Sequence, residues 1–410
     1  MLQETQFDLV IFLSTDWERF TRKRLILKLA DQMRLRGGKI LCLERPICPF
    51  LAPLFHREKF RSWFRSDKRL RQVSENIYVA IPCVFLHDIA SSFLPFINTM
   101  NKLVLRMQIQ RVLKKLRFRV SHVHVVTWIF NPWQVYSLGV LKDSLKLYEC
   151  YDRYEKTPGL NRALRHMMLK KERETLRRAD IVLTTSKKLF EIKNSFHNAH
   201  FVPNGVDFEI FVKASEKTTP TADEVSHLEK PVIGFVGKIN ESIDFALINI
   251  LARDYPVGSI VMLGMFENER ALLKNEEYVK ARHAKNVIFP GFKKYEHLPY
   301  YIKAFDVCII PYKINPYLEC VYPLKLHEYM ASGKPIVSTN LPEIEPFKDV
   351  VMIAKDHEEF SAFIAEYEGR VSKNDVRIEI ARQNSWENRG QKIISIIEDT
   401  MRHKENGLKA

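Results

Sequence analysis

In the stretch "VYPLKLHEYMASGKPIVSTNLPE", residues 321–343, a lysine and a glutamate, Lys325 and Glu328, stand three positions apart in a largely apolar segment. That spacing puts both on one helix face, and the plain outcome is a surface ion pair contributing about 0.2–0.5 kcal/mol. Pro323 suits the first helical position, where a missing N–H costs nothing, and Gly333 suits the left-handed stop, so a helix is expected over 323–332. If its amino end opens on a crevice, the chemistry changes. Backbone at Pro323 and Leu324, the positive end of the helix dipole and the Lys325 ammonium then form an anion site. Lys238, directly after Gly237 at the end of "GFVG", approaches from a neighbouring strand, where glycine lets backbone come close to a ligand. Two lysines, a glycine turn and a helix start suit a diphosphate, and Glu328, one turn deeper, accepts hydrogen bonds from a ribose diol.

These residues need a scaffold, and the chain supplies two series of strand-like runs. The first is "DLVIFL", "KILCLE", "NIYVAIP", "HVHVVTW", "SLKLYEC" and "DIVLTT"; the second is "PVIGFVG", "SIVMLG", "NVIFPG", "DVCIIPY", "KPIVST" and "VVMIA". Alternation of such runs with helical stretches predicts parallel strands joined by crossover helices, an α/β architecture of two Rossmann-like doubly wound domains. The expected boundaries are an N-terminal domain over 1–203, a hinge over 204–230 that begins at Asn204-Gly205, a C-terminal domain over 231–380, and a final helix over 381–410 packing back. Open α/β sheets bind ligands at the carboxyl ends of their strands, so the two domains are expected to face a central cleft.

Composition narrows the function classes. Six cysteines at 42, 48, 83, 150, 308 and 320 show no C-x-x-C spacing and read as small buried apolar residues in a reducing compartment. No apolar stretch approaches the roughly 18–20 residues of a membrane span, and the amino terminus reads as a first strand rather than a leader. Of the formal charge of +15, +12 comes from residues 56–71 and 102–119, where basic residues interleave with Phe60, Trp63, Phe64, Leu103, Met107, Leu113 and Leu116. That pattern suits an anionic membrane face more than nucleic acid, for which no module signature is present. The expected location is the cytoplasm, peripheral on the inner face of the cell membrane.

The ordered segments "YECYDRYEKTPG", "ERETLRRADIVLTTSKKL", "FVPNGVDFEIF", "GFVGKINESIDFALI", "VIFPGFKKYEHLPYYIKAFDVCIIPY", "PLKLHEYMASGKPIVST" and "NSWENRG" resemble the GT-B glycosyltransferases of family 4, especially the bacterial cell-surface polysaccharide branch. The resemblance implies a retaining transfer of a sugar from a nucleotide diphosphate sugar to a lipid-linked or glycan acceptor. It implies a donor site of Gly237, Lys238, Phe292, Pro323, Leu324, Lys325 and Glu328, an acceptor side of Trp17, Tyr151 and Asp152, and catalytic roles for Asp152 and Lys238. No cofactor and no metal are implied, and the chain has no D-x-D.

Departures from that pattern are specific. The first of two glutamates usually seven residues apart is replaced by Cys320, with Glu319 adjacent; the second basic residue after "VGK" is missing; and Tyr151-Asp152 stand where a histidine is common. Competing readings are a nucleotide-sugar epimerase on the same scaffold and an inactive basic binding protein. His122 and His124 alternate on a strand without supporting ligands and read as structural.

Overall fold

The computed structural model describes residues 6–49, 69–86, 95–119, 124–141, 144–157, 159–196, 198–366 and 373–409. The chain divides into two compact units, residues 1–203 with 389–410, and residues 204–388.

The first unit is built on an eight-stranded sheet of order β3-β4-β2-β1-β5-β6-β7-β8. Its strands are β1 (Asp8–Phe12), β2 (Ile40–Leu43), β3 (Leu70–Ser74), β4 (Ile77–Ala80), β5 (Val125–Ile129), β6 (Leu145–Cys150), β7 (Ile181–Thr184) and β8 (Ala199–Phe201). Every residue of β1, β2, β5 and β7 is buried, as continuous apolar runs must be when helices cover both faces of a parallel sheet. Only β3 runs antiparallel, pairing Leu70 with Ala80 across a tight turn. It lies at the end of the basic 56–71 segment, most of which falls outside the described residues. The strand order turns back on itself between β1 and β5, which pair directly.

The second unit is a six-stranded, wholly parallel sheet of order β11-β10-β9-β12-β13-β14. It comprises β9 (Val232–Val236), β10 (Ser259–Leu263), β11 (Val287–Gly291), β12 (Val307–Ile310), β13 (Ile336–Thr339) and β14 (Met352–Ala354), one for each run of the second series. Its order reverses between β9 and β12. A ligand crevice belongs there, outside the carboxyl ends of the strands.

One expectation on boundaries is corrected, and the final helix, expected from 381, begins at Trp386. Residues 204–230 are not a free hinge: Val206, Phe208, Phe211, Ala214 and Val225 are buried in the core of the second unit, because their apolar side chains gain more from that core than from solvent. The last helix, Trp386–Lys409, belongs to both units by residue. The Trp386 amide donates to the Val206 carbonyl at 2.9 Å in the second unit, whereas residues 389–410 are part of the first.

Glycines end three adjacent strands of the second unit. Gly237 has φ +149° and Gly264 φ +153°, and a Cβ added at Gly264 would lie 1.7 Å from the Gly237 carbonyl oxygen. The Gly237 amide donates to the Leu263 carbonyl at 2.9 Å and the Gly264 amide to Gly291 at 3.1 Å. The result is a ledge without side chains past the strand ends. Gly291 also has a positive φ, +77°, but a Cβ there meets nothing within 4 Å. Gly291→Ala should therefore cost only the about 1–2 kcal/mol of the left-handed backbone, and Gly264→Ala should cost well beyond that because main chain must move. Denaturant unfolding of the two variants decides it, and equal losses would contradict the ledge geometry.

Candidate active site

The helix Leu324–Ala331 carries the opening constellation. Pro323 stands at its N-cap, one residue later than the helix expected from sequence, and contributes no side-chain cap. The chain entering it is held from two directions. The Asn204 amide donates to the Tyr322 carbonyl at 2.9 Å, and the Tyr322 hydroxyl lies 2.7 Å from His327 Nε2 with the two rings stacked. At the other end, Arg377, fully buried, donates to the Gly333 carbonyl from Nε at 3.1 Å and from a terminal nitrogen at 3.0 Å. A cation at a helix carboxyl end complements the dipole.

Lys325 is 7% exposed. Its ammonium hydrogen-bonds the Tyr312 hydroxyl and sits 4.4 Å from the Tyr312 ring centroid and 4.9 Å from that of Phe235. A Cβ at Gly237 would be 3.3 Å from its nitrogen, so the cation lies against the glycine ledge. Glu328 accepts from the Tyr295 hydroxyl at 3.3 Å. Among the described residues no salt bridge joins Lys325 to Glu328. The surface ion pair is therefore corrected: one partner is buried among rings and the other is turned to a tyrosine. Burial pushes the Glu328 carboxyl up to about 7, and the nearby Asp207 charge adds to the rise, while Lys325 and the Tyr295 hydroxyl oppose it.

Lys238 is half exposed and bonds Glu267 at 2.6 Å, and Asn240 donates to the other Glu267 oxygen at 2.9 Å. Burial raises the Glu267 carboxyl, but these two bonds outweigh it and hold the group below the usual carboxylate range. Phe292, directly after the β11 glycine, is 68% exposed. Cys320 is fully buried and Glu319, beside it, half-buried. Gly237 and Lys325 thus meet at the β9 and β12 ends, with Glu328 within electrostatic reach of Lys325 and turned to Tyr295 after β11; Lys238 is turned to Glu267 after β10, and Phe292 stands at the end of the outermost strand.

At the carboxyl edge of the first unit, Tyr151 and Asp152 follow β6. The Tyr151 hydroxyl is 3.4 Å from Ser14 Oγ after β1, and the Arg22 guanidinium lies 4.9 Å from its ring centroid. Arg22 pairs with Glu149 at 3.1 Å, both side chains 4% exposed. Asp152 does not cap the turn Tyr154–Lys156, whose N-cap is Arg153. Trp17 is corrected: at 2% exposure its ring is core, under Lys23, and has no face left for an acceptor.

Sequence reasoning missed Phe235, Tyr312, Tyr295, Asn204 and Arg377 as parts of this site. Tyr312 ends the run "CIIPY" and Phe235 stands two residues before the end of "GFVG", so closeness to a strand end was an available signal; Tyr295 and Arg377 carried none.

Residues 230–367 match the family "Glycosyl transferases group 1". TuaH of Bacillus subtilis (strain 168), a proposed teichuronic acid biosynthesis glycosyltransferase, is 28% identical over 259 residues, 58% of this chain and 63% of TuaH, so the match spans under two thirds of that relative. Solved structures with the same fold include sucrose-phosphate synthase from Thermosynechococcus elongatus (TM-score 0.69, 14% identity, 96% of this chain and 98% of that one). Anabaena Alr3699/HepE in complex with UDP is another (TM-score 0.64, 13% identity, 96% and 100% covered). The fold is GT-B, and residues 230–367 of the second unit are similar to group 1 glycosyltransferases.

The raised Glu328 carboxyl carries a pH consequence. From the ordinary value of 4.5 to about 7 the folded protein holds a proton that the unfolded chain releases, so this contribution to stability is complete below pH 4.5 and is lost as pH rises through 7. Between pH 5 and 8 the parent should lose on the order of 2 kcal/mol more stability than Glu328→Gln. Parallel pH profiles of the two proteins would contradict it.

Proposed function

We propose, for a chain of GT-B fold whose second unit is similar to group 1 glycosyltransferases, that it transfers a sugar from a nucleotide diphosphate sugar to a lipid-linked or polysaccharide acceptor, with retention at the anomeric carbon. The observation that carries this reading is the ring-clamped Lys325 against the glycine ledge at the switch point of the second unit.

In the transfer, the bond from the anomeric carbon to the diphosphate breaks, negative charge collects on the leaving phosphate, and the acceptor oxygen takes its place. Lys325, already desolvated and held by Tyr312 and Phe235, meets that charge without reorganisation, which is where fixed electrostatics contribute most. Lys238 is assigned to the same diphosphate and must exchange Glu267 for it. The start of the Leu324–Ala331 helix offers backbone after Pro323, and the dipole adds to the field. Glu328 is assigned to the ribose diol and exposed Phe292 to the nucleobase face. These groups suffice to hold the diphosphate, so the reading requires no metal, and EDTA should leave turnover unchanged.

Asp152, beside Tyr151, is assigned to the acceptor hydroxyl. The departures at Cys320 and after "VGK" bear on sugar contacts and on the second phosphate charge, and leave the Lys325 clamp in place. The relation to TuaH favours a cell-envelope glycan as product, formed on the cytoplasmic face of the membrane. Among the described residues no helix is long and apolar enough to cross a membrane, and a peripheral association is proposed.

Calorimetry with nucleoside diphosphates and their sugars tests the assignment. A charge-assisted bond to a buried ligand contributes roughly 1.5–3 kcal/mol, so Lys325→Ala should weaken the bare diphosphate at least about tenfold. Glu328→Gln should do the same for the nucleotide sugar. Asp152→Asn should bind donor normally and lose turnover. Parent-like donor binding by both second-unit variants would overturn the donor site.

A further inference from the structure

The Pro95–Lys115 helix of the first unit presents two apolar faces where a surface helix needs one. Leu105, Ile109 and Leu113 are buried on its inner side. On the outer side Phe96, Met100, Leu103 and Met107 are 63%, 44%, 58% and 43% exposed. Their spacing of four, three and four residues puts them in a single stripe. The same face continues into exposed Arg111 and Lys114, with Lys115 beside them, over about 27 Å of helix. No aspartate or glutamate occurs anywhere from 95 to 119. The expected membrane-facing segment 102–119 is thereby narrowed: of its apolar residues Leu113 is core, and the outward apolar groups begin earlier, at Phe96. Beneath the cationic end, a cavity of about 290 Å³ has walls that include Leu43, Ile81 and Ile109, with Arg69, Arg111 and Lys115 among its lining.

We propose that this outer face is a docking surface for an anionic lipid bilayer, with the Phe96–Met107 stripe entering the headgroup and acyl boundary and Arg111, Lys114 and Lys115 resting on lipid phosphates. Two features select the bilayer over a second copy of this chain. Paired in parallel, two such helices bring their cations together; paired antiparallel along their full length, each lays its cations on the other's apolar stripe. A bilayer instead offers the two required chemistries side by side, an apolar layer and an anionic sheet. The proposal rests on no step of sugar transfer, so vesicle binding and donor binding fail separately.

The test is flotation of the full chain with vesicles of phosphatidylcholine alone and of phosphatidylcholine mixed with phosphatidylglycerol. Strong binding to the mixed vesicles, weakened by salt, is expected. Leu103→Ser with Met107→Ser should reduce it at least about tenfold. Arg111→Ala, Lys114→Ala and Lys115→Ala together should reduce it about a hundredfold, while Lys274→Ala with Lys285→Ala, which removes exposed cations from the second unit, should leave it unchanged. Calorimetric donor affinity should be the same in all variants, which shows that each is folded. No binding to the mixed vesicles, equal binding to both vesicle types, or a stripe variant that floats like the parent overturns the proposal. So does a concentration-dependent dimer of the parent that Leu103→Ser abolishes, since the stripe would then be a contact between copies.

Discussion

Everything in the second unit turns on one demand: a buried lysine and a half-buried glutamate one turn apart on a short helix are not given to each other. A buried charge costs several kcal/mol unless something replaces its hydration. For Lys325 the replacement is the faces of Phe235 and Tyr312 and the Tyr312 hydroxyl. For Glu328 it is incomplete, a single tyrosine bond at 3.3 Å, and the carboxyl rises to about 7 in consequence. A fold that needed only stability would place two apolar side chains here. The arrangement is consistent with a site whose electrostatics are completed by an anion and hydroxyl groups from outside.

The surrounding architecture follows from that demand. The cation lies against the strand end where Gly237 leaves no side chain, and Gly264 in turn is required by the Gly237 carbonyl. The helix is held at both ends, by Asn204 through Tyr322 and by Arg377 at Gly333, so the turn bearing Lys325 and Glu328 has little freedom to collapse into a direct pair. Asn204 also explains why residues 204–230 are not a hinge: the segment has a positioning task and a buried anchor in Phe211. The first unit places a related device at the β6 end beside its own switch point, where the buried Arg22–Glu149 pair backs the Tyr151 ring.

How much of this the sequence carried depends on range. Strand runs such as "VIGFV" and "SIVML" are local, apolar and bounded by glycine, and all six of the second series are strands in the structure. β3 was hidden because Leu70–Ser74 lies within a charge-rich stretch and gains its identity from pairing with β4. Lys325, Glu328, Gly237 and Lys238 were legible because their types are unusual for the positions that they hold. Their burial was not, since Tyr312 and Tyr295 approach from loops 13 and 33 residues away. Trp17 misled for the opposite reason: the resemblance put it on the acceptor side, and only packing shows the ring to be core.

The central claim is that Glu328 is a donor ligand that stays about half protonated at pH 7 until the donor arrives. Ribose hydroxyls donating to its oxygens favour the anion, so binding at pH 7 should release up to about half a proton. Calorimetric titration at pH 7 with the tightest binder among UDP, GDP, ADP and CDP, repeated in buffers of different ionisation enthalpy, measures that proton directly. The account predicts net proton release in the parent that disappears in Glu328→Gln. Proton release that is absent, or that persists undiminished in Glu328→Gln, would contradict it.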